Sequence, residues 1–114
     1  MNSNKFYSVV VPVYNEEENV PLLIDAIHKV LKDYQYELIL VDDFSSDKTV
    51  KNIKNIAHPN VVLIELKKNY GQSSALMAGI DYAKGDYIIT MDGDMQNDPT
   101  DIPMMVNTMD LDES

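Results

Sequence analysis

The stretch Tyr87-Ile88-Ile89-Thr90-Met91-Asp92-Gly93-Asp94-Met95-Gln96-Asn97-Asp98-Pro99 decides how this chain is read. An apolar run that suits a buried strand ends abruptly in two carboxylates spaced i, i+2. Crowded like charges are costly unless a cation or hydrogen-bond donors neutralise them. A solvated turn is the alternative, disfavoured by the flanking strand. Asp92 and Asp94 therefore read as half of a divalent-metal site at the carboxyl end of a strand, with Gly93 letting the backbone turn between them. Oxygen ligands on one short loop suit Mg2+ or Mn2+, which keep positions open for water and for the phosphate oxygens of a substrate. A metal that holds a diphosphate is the chemistry this stretch implies.

Outward from that strand, short β-branched runs alternate with helical periods, which means βαβ units and a parallel sheet: an α/β chain with flanking helices. The first strand is Tyr7 to Val13. A helix follows from about Asn19, with Pro21 in its first turn and Val20, Leu23, Ile24, Ile27 and Leu31 on one face. The second strand is Glu37 to Val41. Asp47 then caps a helix carrying Val50, Ile53 and Ala57, which Pro59 stops. The third strand is Val61 to Leu66, and a helix from Gln72 to Ala83 aligns Leu76, Gly79, Ile80 and Ala83 before Gly85 ends it.

Length and composition bound the function. With 114 residues, 45% of them hydrophobic, the chain buries one modest core, so it is one domain or part of one. A net charge of -10, from 19 acidic against 9 basic residues, opposes binding to nucleic acid or to an anionic lipid surface. A small anionic ligand that brings its own metal remains compatible. Without cysteine there is neither a disulfide framework nor a thiolate site. The apolar run near the N-terminus is too short for a spanning helix and lacks a cleavage pattern, so the expectation is a soluble, cytoplasmic chain.

Ligands of open α/β sheets sit beyond the carboxyl ends of the strands, at the switch point of strand order. The unusual residues of this chain fall there. Pro12, Tyr14, Asn15 and Glu16 follow the first strand; Asp42, Asp43 and Ser45 the second; Asp92, Asp94 and Gln96 the fourth. Such a rim offers an aromatic face for a base, an acceptor for its ring N–H, a ribose partner and a metal for phosphates. Ser45, Ser46 and Asp47 read as cap chemistry, and Lys67 and Lys68 as solvated lysines with Lys68 also able to assist at phosphates. His28 and His58 read as structural.

Four segments carry a resemblance: Val9-Val10-Val11-Pro12-Val13-Tyr14-Asn15-Glu16-Glu17, Ile39-Leu40-Val41-Asp42-Asp43-Phe44-Ser45-Ser46-Asp47, Asn69-Tyr70-Gly71-Gln72 and Met91-Asp92-Gly93-Asp94-Met95-Gln96. Together they resemble the family 2 glycosyltransferases with the Rossmann-like GT-A fold, over nearly the whole chain to about Met109. The subgroup most similar is the one that transfers sugars to polyprenyl phosphates, of the dolichol-phosphate mannose synthase kind. The resemblance implies a UDP- or GDP-sugar donor, a polyprenyl phosphate acceptor and metal-assisted inverting transfer. It also implies that Pro12, Tyr14 and Glu16 border base and ribose, that Asp43 accepts a hydrogen bond from the base, and that Lys68 assists at the phosphates. Asp92 then faces the ribose or the metal, Asp94 is a metal ligand, and Gln96 adds a further oxygen.

A complete domain of that family continues past the DxD loop. Residues 1–114 are accordingly expected to form a partial domain, the donor-binding half, with an acidic frayed tail at Asp110 to Ser114 and a helix face at Met104, Met105 and Met109 deprived of its partner. No residue is assignable as general base, so weak or absent turnover is expected, with membrane segments downstream in a parent protein. An exposed sheet edge would invite homo-oligomers. Two rival classes stay open. A receiver-like phosphoacceptor module would use Asp42, Asp43 and Asp92, treating the first strand as an addition, and a non-catalytic interaction domain would keep only the half-fold. A haloacid dehalogenase-type phosphatase would need its DxD on the first strand.

Overall fold

The computed structural model describes residues 5–91. Its order is β1 (Phe6–Val13), α1 (Asn19–Leu31), β2 (Gln35–Asp42), α2 (Thr49–Ile56), β3 (Val61–Glu65), α3 (Gln72–Tyr82) and β4 (Tyr87–Thr90). All strand pairs are parallel and the sheet order is β3-β2-β1-β4, so the chain winds outward on one side of β1 and then returns to its other side at β4. The switch point therefore lies between the carboxyl ends of β1 and β4, where Val10 registers with Thr90.

The central strands β1 and β2 are buried on both faces, as parallel strands covered by crossover helices must be. Tyr7, Val9, Val11 and Val13 of β1, with Tyr36, Leu38 and Leu40 of β2, pack under α1 in one cluster, and Val10, Ile39 and Val41 pack in the other with Ala75 of α3. The α1 stripe is the expected one: Val20, Leu23, Ile24, Ile27 and Leu31 are all buried. On α3 the line of closest approach is shifted from the expected face. Ala75 and Gly79 are buried, whereas Leu76, Ile80 and Ala83 are partly buried beside them. A Cβ on Gly79 would overlap Val10 Cγ1 and lie 2.9 Å from Val41 Cγ2, so small residues let the helix backbone sit close on the sheet.

Two expectations for α2 are corrected. The helix begins at Thr49 with Lys48 in the cap position and no side-chain cap bond. Asp47, one residue earlier, accepts from the Thr49 N–H at 2.9 Å instead. Ala57 is an exposed C-cap with φ of 50° rather than a helical core residue, because the chain must reverse there toward Pro59 and β3.

At the amino end of the sheet lies a buried polar group that sequence reasoning did not anticipate. Ser8, fully buried in β1, donates its hydroxyl to Glu37 Oε2 at 2.6 Å; the same oxygen accepts the Lys84 N–H at 2.8 Å, and Ser8 Oγ accepts the Gly85 N–H at 2.8 Å. Phe6 and Asp86 close the adjacent corner, with Phe6 N–H on Asp86 Oδ2 at 2.9 Å and Asp86 N–H on Phe6 O at 2.6 Å. Together these bonds fix where β4 starts.

The two histidines clasp α1 to the α2–β3 turn. Asn60 N–H donates to His58 Nδ1 at 3.1 Å, so the other ring nitrogen, His58 Nε2, holds its proton toward His28 Nδ1, 3.0 Å away; the Tyr36 hydroxyl is 3.1 Å from that same Nδ1. Burial, and secondarily the neighbouring His28 charge, lower the His58 pKa from 6.5. A folded-state value below the unfolded one means that the unfolded chain binds more protons across that window. The melting temperature is therefore expected to fall as pH drops below about 6.5. A His58→Asn variant should show a flatter profile between pH 7 and pH 5, and an unchanged slope would refute this origin. Among the described residues, no helix is long and apolar enough to cross a membrane.

Candidate functional site at the carboxyl rim

The loops after β1 and β2 are laced together before any ligand is considered. Asn15 sits at φ 53°, a left-handed conformation that Asn tolerates. Its N–H reaches Ser45 Oγ at 2.8 Å, and its side-chain oxygen accepts the Ser46 N–H at 2.9 Å. The Glu16 N–H donates to Thr49 Oγ1 at 2.8 Å, the Glu17 N–H to Asp47 Oδ2 at 3.3 Å, and Asn52 Nδ2 to Glu17 O at 2.8 Å. Asp43 N–H joins the end of β1 at Val13 O, 2.9 Å. Asn15 stood among the rim residues in the sequence but Thr49 did not, because nothing in a single Thr announces a partner 33 residues away.

Asp47 holds this lattice together. Burial pushes its carboxyl pKa up, but the Thr49 hydroxyl and the N–H groups of Thr49 and Glu17 outweigh that and hold it below the ordinary 3.8. Thr49, fully buried, accepts from Glu16 and donates to Asp47 Oδ1 at 2.5 Å. Thr49→Val keeps the shape and removes both bonds, and is expected to lower stability by about 1–3 kcal/mol. Urea unfolding checks this; a change within experimental error would show that water replaces both bonds.

The aspartate that ends β2 and the one just after it divide their labour. Asp42 folds back on its own turn, accepting Ser45 N–H at 3.0 Å and Ser45 Oγ–H at 2.5 Å. Asp43, 4% exposed, reaches the next loop: Oδ1 accepts the Tyr70 N–H at 2.8 Å, Oδ2 the Gly71 N–H at 2.9 Å, and its carbonyl the Asn69 side chain at 3.2 Å. Each Asp43 oxygen thus already has one partner.

Of the other expected residues, Pro12 is buried in β1 and Tyr14 is 48% exposed on the rim. Glu16 accepts from Asn19 Nδ2 at 2.6 Å while its carbonyl receives Asn19 and Val20 N–H at the start of α1. Lys68 is exposed. Phe44, at φ 65°, and Tyr70 add two further aromatic side chains, each 57% exposed, on the loops after β2 and β3. Beside the rim a polar cavity of about 260 Å³ is lined by Asn15, Glu16, Glu17, Glu18, Asn19 and Asp47. Asp92, Asp94 and Gln96 lie outside the described residues. Met91, which precedes Asp92 in sequence, is buried and donates its N–H to Val10 O at 3.2 Å, beside the switch point. Among the described residues no cluster of three His, Asp or Glu side chains could hold a metal.

The receiver alternative fails on strand order. It requires the strands bearing Asp43 and Asp92 to be neighbours, but β1 lies between β2 and β4.

This is the sheet of the GT-A glycosyltransferases. The chain aligns with mannosyltransferase PcManGT from Pyrobaculum calidifontis, solved in complex with GDP-Man and Mn2+, at a TM-score of 0.71 and 26% identity, covering 79% of this chain and 28% of that one. It aligns with S. aureus TarS in complex with UDP-GlcNAc at a TM-score of 0.70 and 27% identity, covering 77% and 26%. Residues 8–114 match glycosyl transferase family 2, and the chain belongs to that family. It is 51% identical over 106 residues to an undecaprenyl-phosphate 4-deoxy-4-formamido-L-arabinose transferase of Proteus mirabilis, covering 89% of this chain and 32% of the relative. To a dodecaprenyl-phosphate galacturonate synthase of Rhizobium johnstonii it is 46% identical over 108 residues, covering 90% and 32%. The chain spans about a third of the length of these curated relatives.

Proposed function

We propose that residues 1–114 are the donor-binding part of a glycosyltransferase domain that moves a sugar from a UDP- or GDP-sugar to a polyprenyl phosphate with inversion, in a parent protein working at the cytoplasmic face of a membrane. The observation that carries this reading is the laced rim: loops after β1, β2 and β3, cross-linked by hydrogen bonds, present Tyr14 beside the β1/β4 switch point into which Met91 leads. The names of the relatives, both polyprenyl-phosphate sugar transferases, support the acceptor, and a neighbour solved with GDP-Man and Mn2+ supports the donor class.

In this reading Pro12, Tyr14 and Glu16 border base and ribose, Asp43 accepts a hydrogen bond from the base, and Lys68 approaches the phosphates. Asp92, Asp94 and Gln96 offer two carboxylates and an amide carbonyl, an all-oxygen set that suits Mg2+ or Mn2+. Bound there, the ion would neutralise charge developing on the nucleoside diphosphate as it leaves. The cross-linked loops after β1 and β2 contribute orientation of the docked donor. An acceptor phosphate is already ionised at neutral pH and can attack the anomeric carbon without a general base.

Calorimetric titration of UDP and of GDP into the 114-residue chain, with and without Mn2+, tests the reading. Metal-dependent binding of one nucleotide is expected and would also rank the bases. Folded protein that binds neither would overturn it.

A further inference from the structure

We infer, resting on the reading above of a parent protein at a membrane, that the outer face of the α1–α2 layer is a docking surface for an anionic lipid bilayer. Charge is unevenly spread over this chain. With its cap residue, α2 carries Lys48, Lys51 and Lys54 and no acid, in a sequence of 19 acidic against 9 basic residues. The three lysines recur every third residue, all exposed, while Thr49 and Ile53 turn inward. Lys54 lies 3.3 Å from Glu65 Oε2, which sets that edge of the stripe beside β3. Among the described residues Lys48 and Lys51 are in no ion pair. The neighbouring α1 is neutral, because its one acid, Asp25, pairs with Lys29 at 3.0 Å. The positive excess of the layer therefore belongs to α2.

Apolar side chains accompany these charges. Ile56 of α2 is 37% exposed and opens into a cavity of about 260 Å³ between the helices, lined also by Pro21, Ile24, Asp25, His28 and His58. Asn52, one turn before Ile56, donates its Nδ2 to Glu17 O at 2.8 Å, tying that side of α2 to the start of α1. Leu22, 62% exposed, shares the outer line of α1 with Lys29 seven residues on. Exposed aliphatic groups beside lysines suit a lipid headgroup layer: the ammonium groups meet phosphates, and the apolar parts reach toward the acyl boundary. The net charge of -10 does not cancel this attraction, since screening over about 8 Å lets a surface feel the nearest face. The acidic remainder, repelled, keeps the basic face turned inward. Both helices start from the rim loops, so the docked face runs up to the carboxyl rim and brings it to the level where an acceptor phosphate lies.

The test is co-sedimentation of the 114-residue chain with vesicles of phosphatidylglycerol and phosphatidylcholine in equal parts, against phosphatidylcholine alone, at low and high salt. Binding to the anionic vesicles that high salt abolishes is expected. Lys48→Gln with Lys51→Gln should weaken it about thirtyfold, at roughly fivefold per lysine, and Leu22→Ser about fivefold. These side chains are exposed, so the fold does not depend on them. Lys5→Gln with Lys84→Gln makes the same change of charge at the amino end of the sheet, where the Lys84 N–H meets Glu37, and should leave binding within about twofold. Equal weakening by the two lysine pairs would mean a response to net charge alone, and equal binding to both lipids would remove the headgroups from the account. Either result overturns the inference, as does a chain that binds no vesicle. Dimers in the absence of lipid that Ile56→Ser dissociates, seen by sedimentation equilibrium, would give the face to a second copy and overturn it too. No nucleotide enters these measurements, so their failure leaves the donor site standing, and failure of the calorimetric titration leaves vesicle binding to be read on its own.

Discussion

Gly85→Ala is expected to cost about 3 kcal/mol of folding stability, a fall in melting temperature of roughly 15 °C for a domain of this size. A Cβ at residue 85 would lie 2.6 Å from Ser8 Oγ, 2.7 Å from Ser8 N and 2.8 Å from Phe6 O. Two of those atoms are backbone of β1, the strand between β2 and β4, and cannot rotate away. The third, Ser8 Oγ, donates to Glu37 and accepts from Gly85 itself. Relieving the overlap means moving β4 away from β1 or turning the Ser8 hydroxyl, and the second strips buried Glu37 of one of its two donors, leaving the Lys84 N–H. At Gly79 the obstructing atoms are side-chain methyls of Val10 and Val41, and alanine there regains about 1 kcal/mol of helix propensity, so the net effect of Gly79→Ala should be smaller. Thermal and urea unfolding of both variants check the ranking, and a Gly85→Ala protein as stable as its parent would show that the α3–β4 turn yields more easily than its bonds suggest.

The largest expected change in function comes from Asp92→Asn with Asp94→Asn. If the all-oxygen site holds the metal that grips the diphosphate, neutralising both carboxylates should lower Mn2+-supported nucleotide affinity about a hundredfold, roughly 2.8 kcal/mol. The melting temperature without metal, measured alongside, reports any general damage to the fold. Calorimetry separates the two effects. An unchanged affinity together with continued metal dependence would place the ion elsewhere and leave the DxD loop as a turn.

Both predictions concern the β4 strand and its ends, and they differ in how far a sequence can reach. Asp92 and Asp94 are visible because two acids after an apolar strand violate the ordinary pattern of burial. Gly85 is readable only as the end of a helix; its close approach to Ser8, 77 positions away, is not. The same division runs through the rim. Tyr14 and Asp43 are conspicuous in the motifs, yet whether Asp43 caps a turn, meets a ligand or clamps a neighbouring loop is the same letter in each case. The coordinates assign the clamp through bonds to Tyr70 and Gly71, 27 and 28 residues on.

Periodicity alone determined the elements: the α1 stripe, the alternation of β-branched strands with helices, and hence a parallel sheet with a ligand rim at its carboxyl ends, because each is set by local spacing along the chain. Tertiary structure alone decided that β1 lies between β2 and β4, which excludes the receiver arrangement, that His28 meets His58, and that Ser8 and Glu37 bury a polar corner under Gly85. Those outcomes depend on hydrogen bonds and van der Waals contacts between residues 29 to 77 positions apart, whose geometry exists only after the strands have chosen their neighbours.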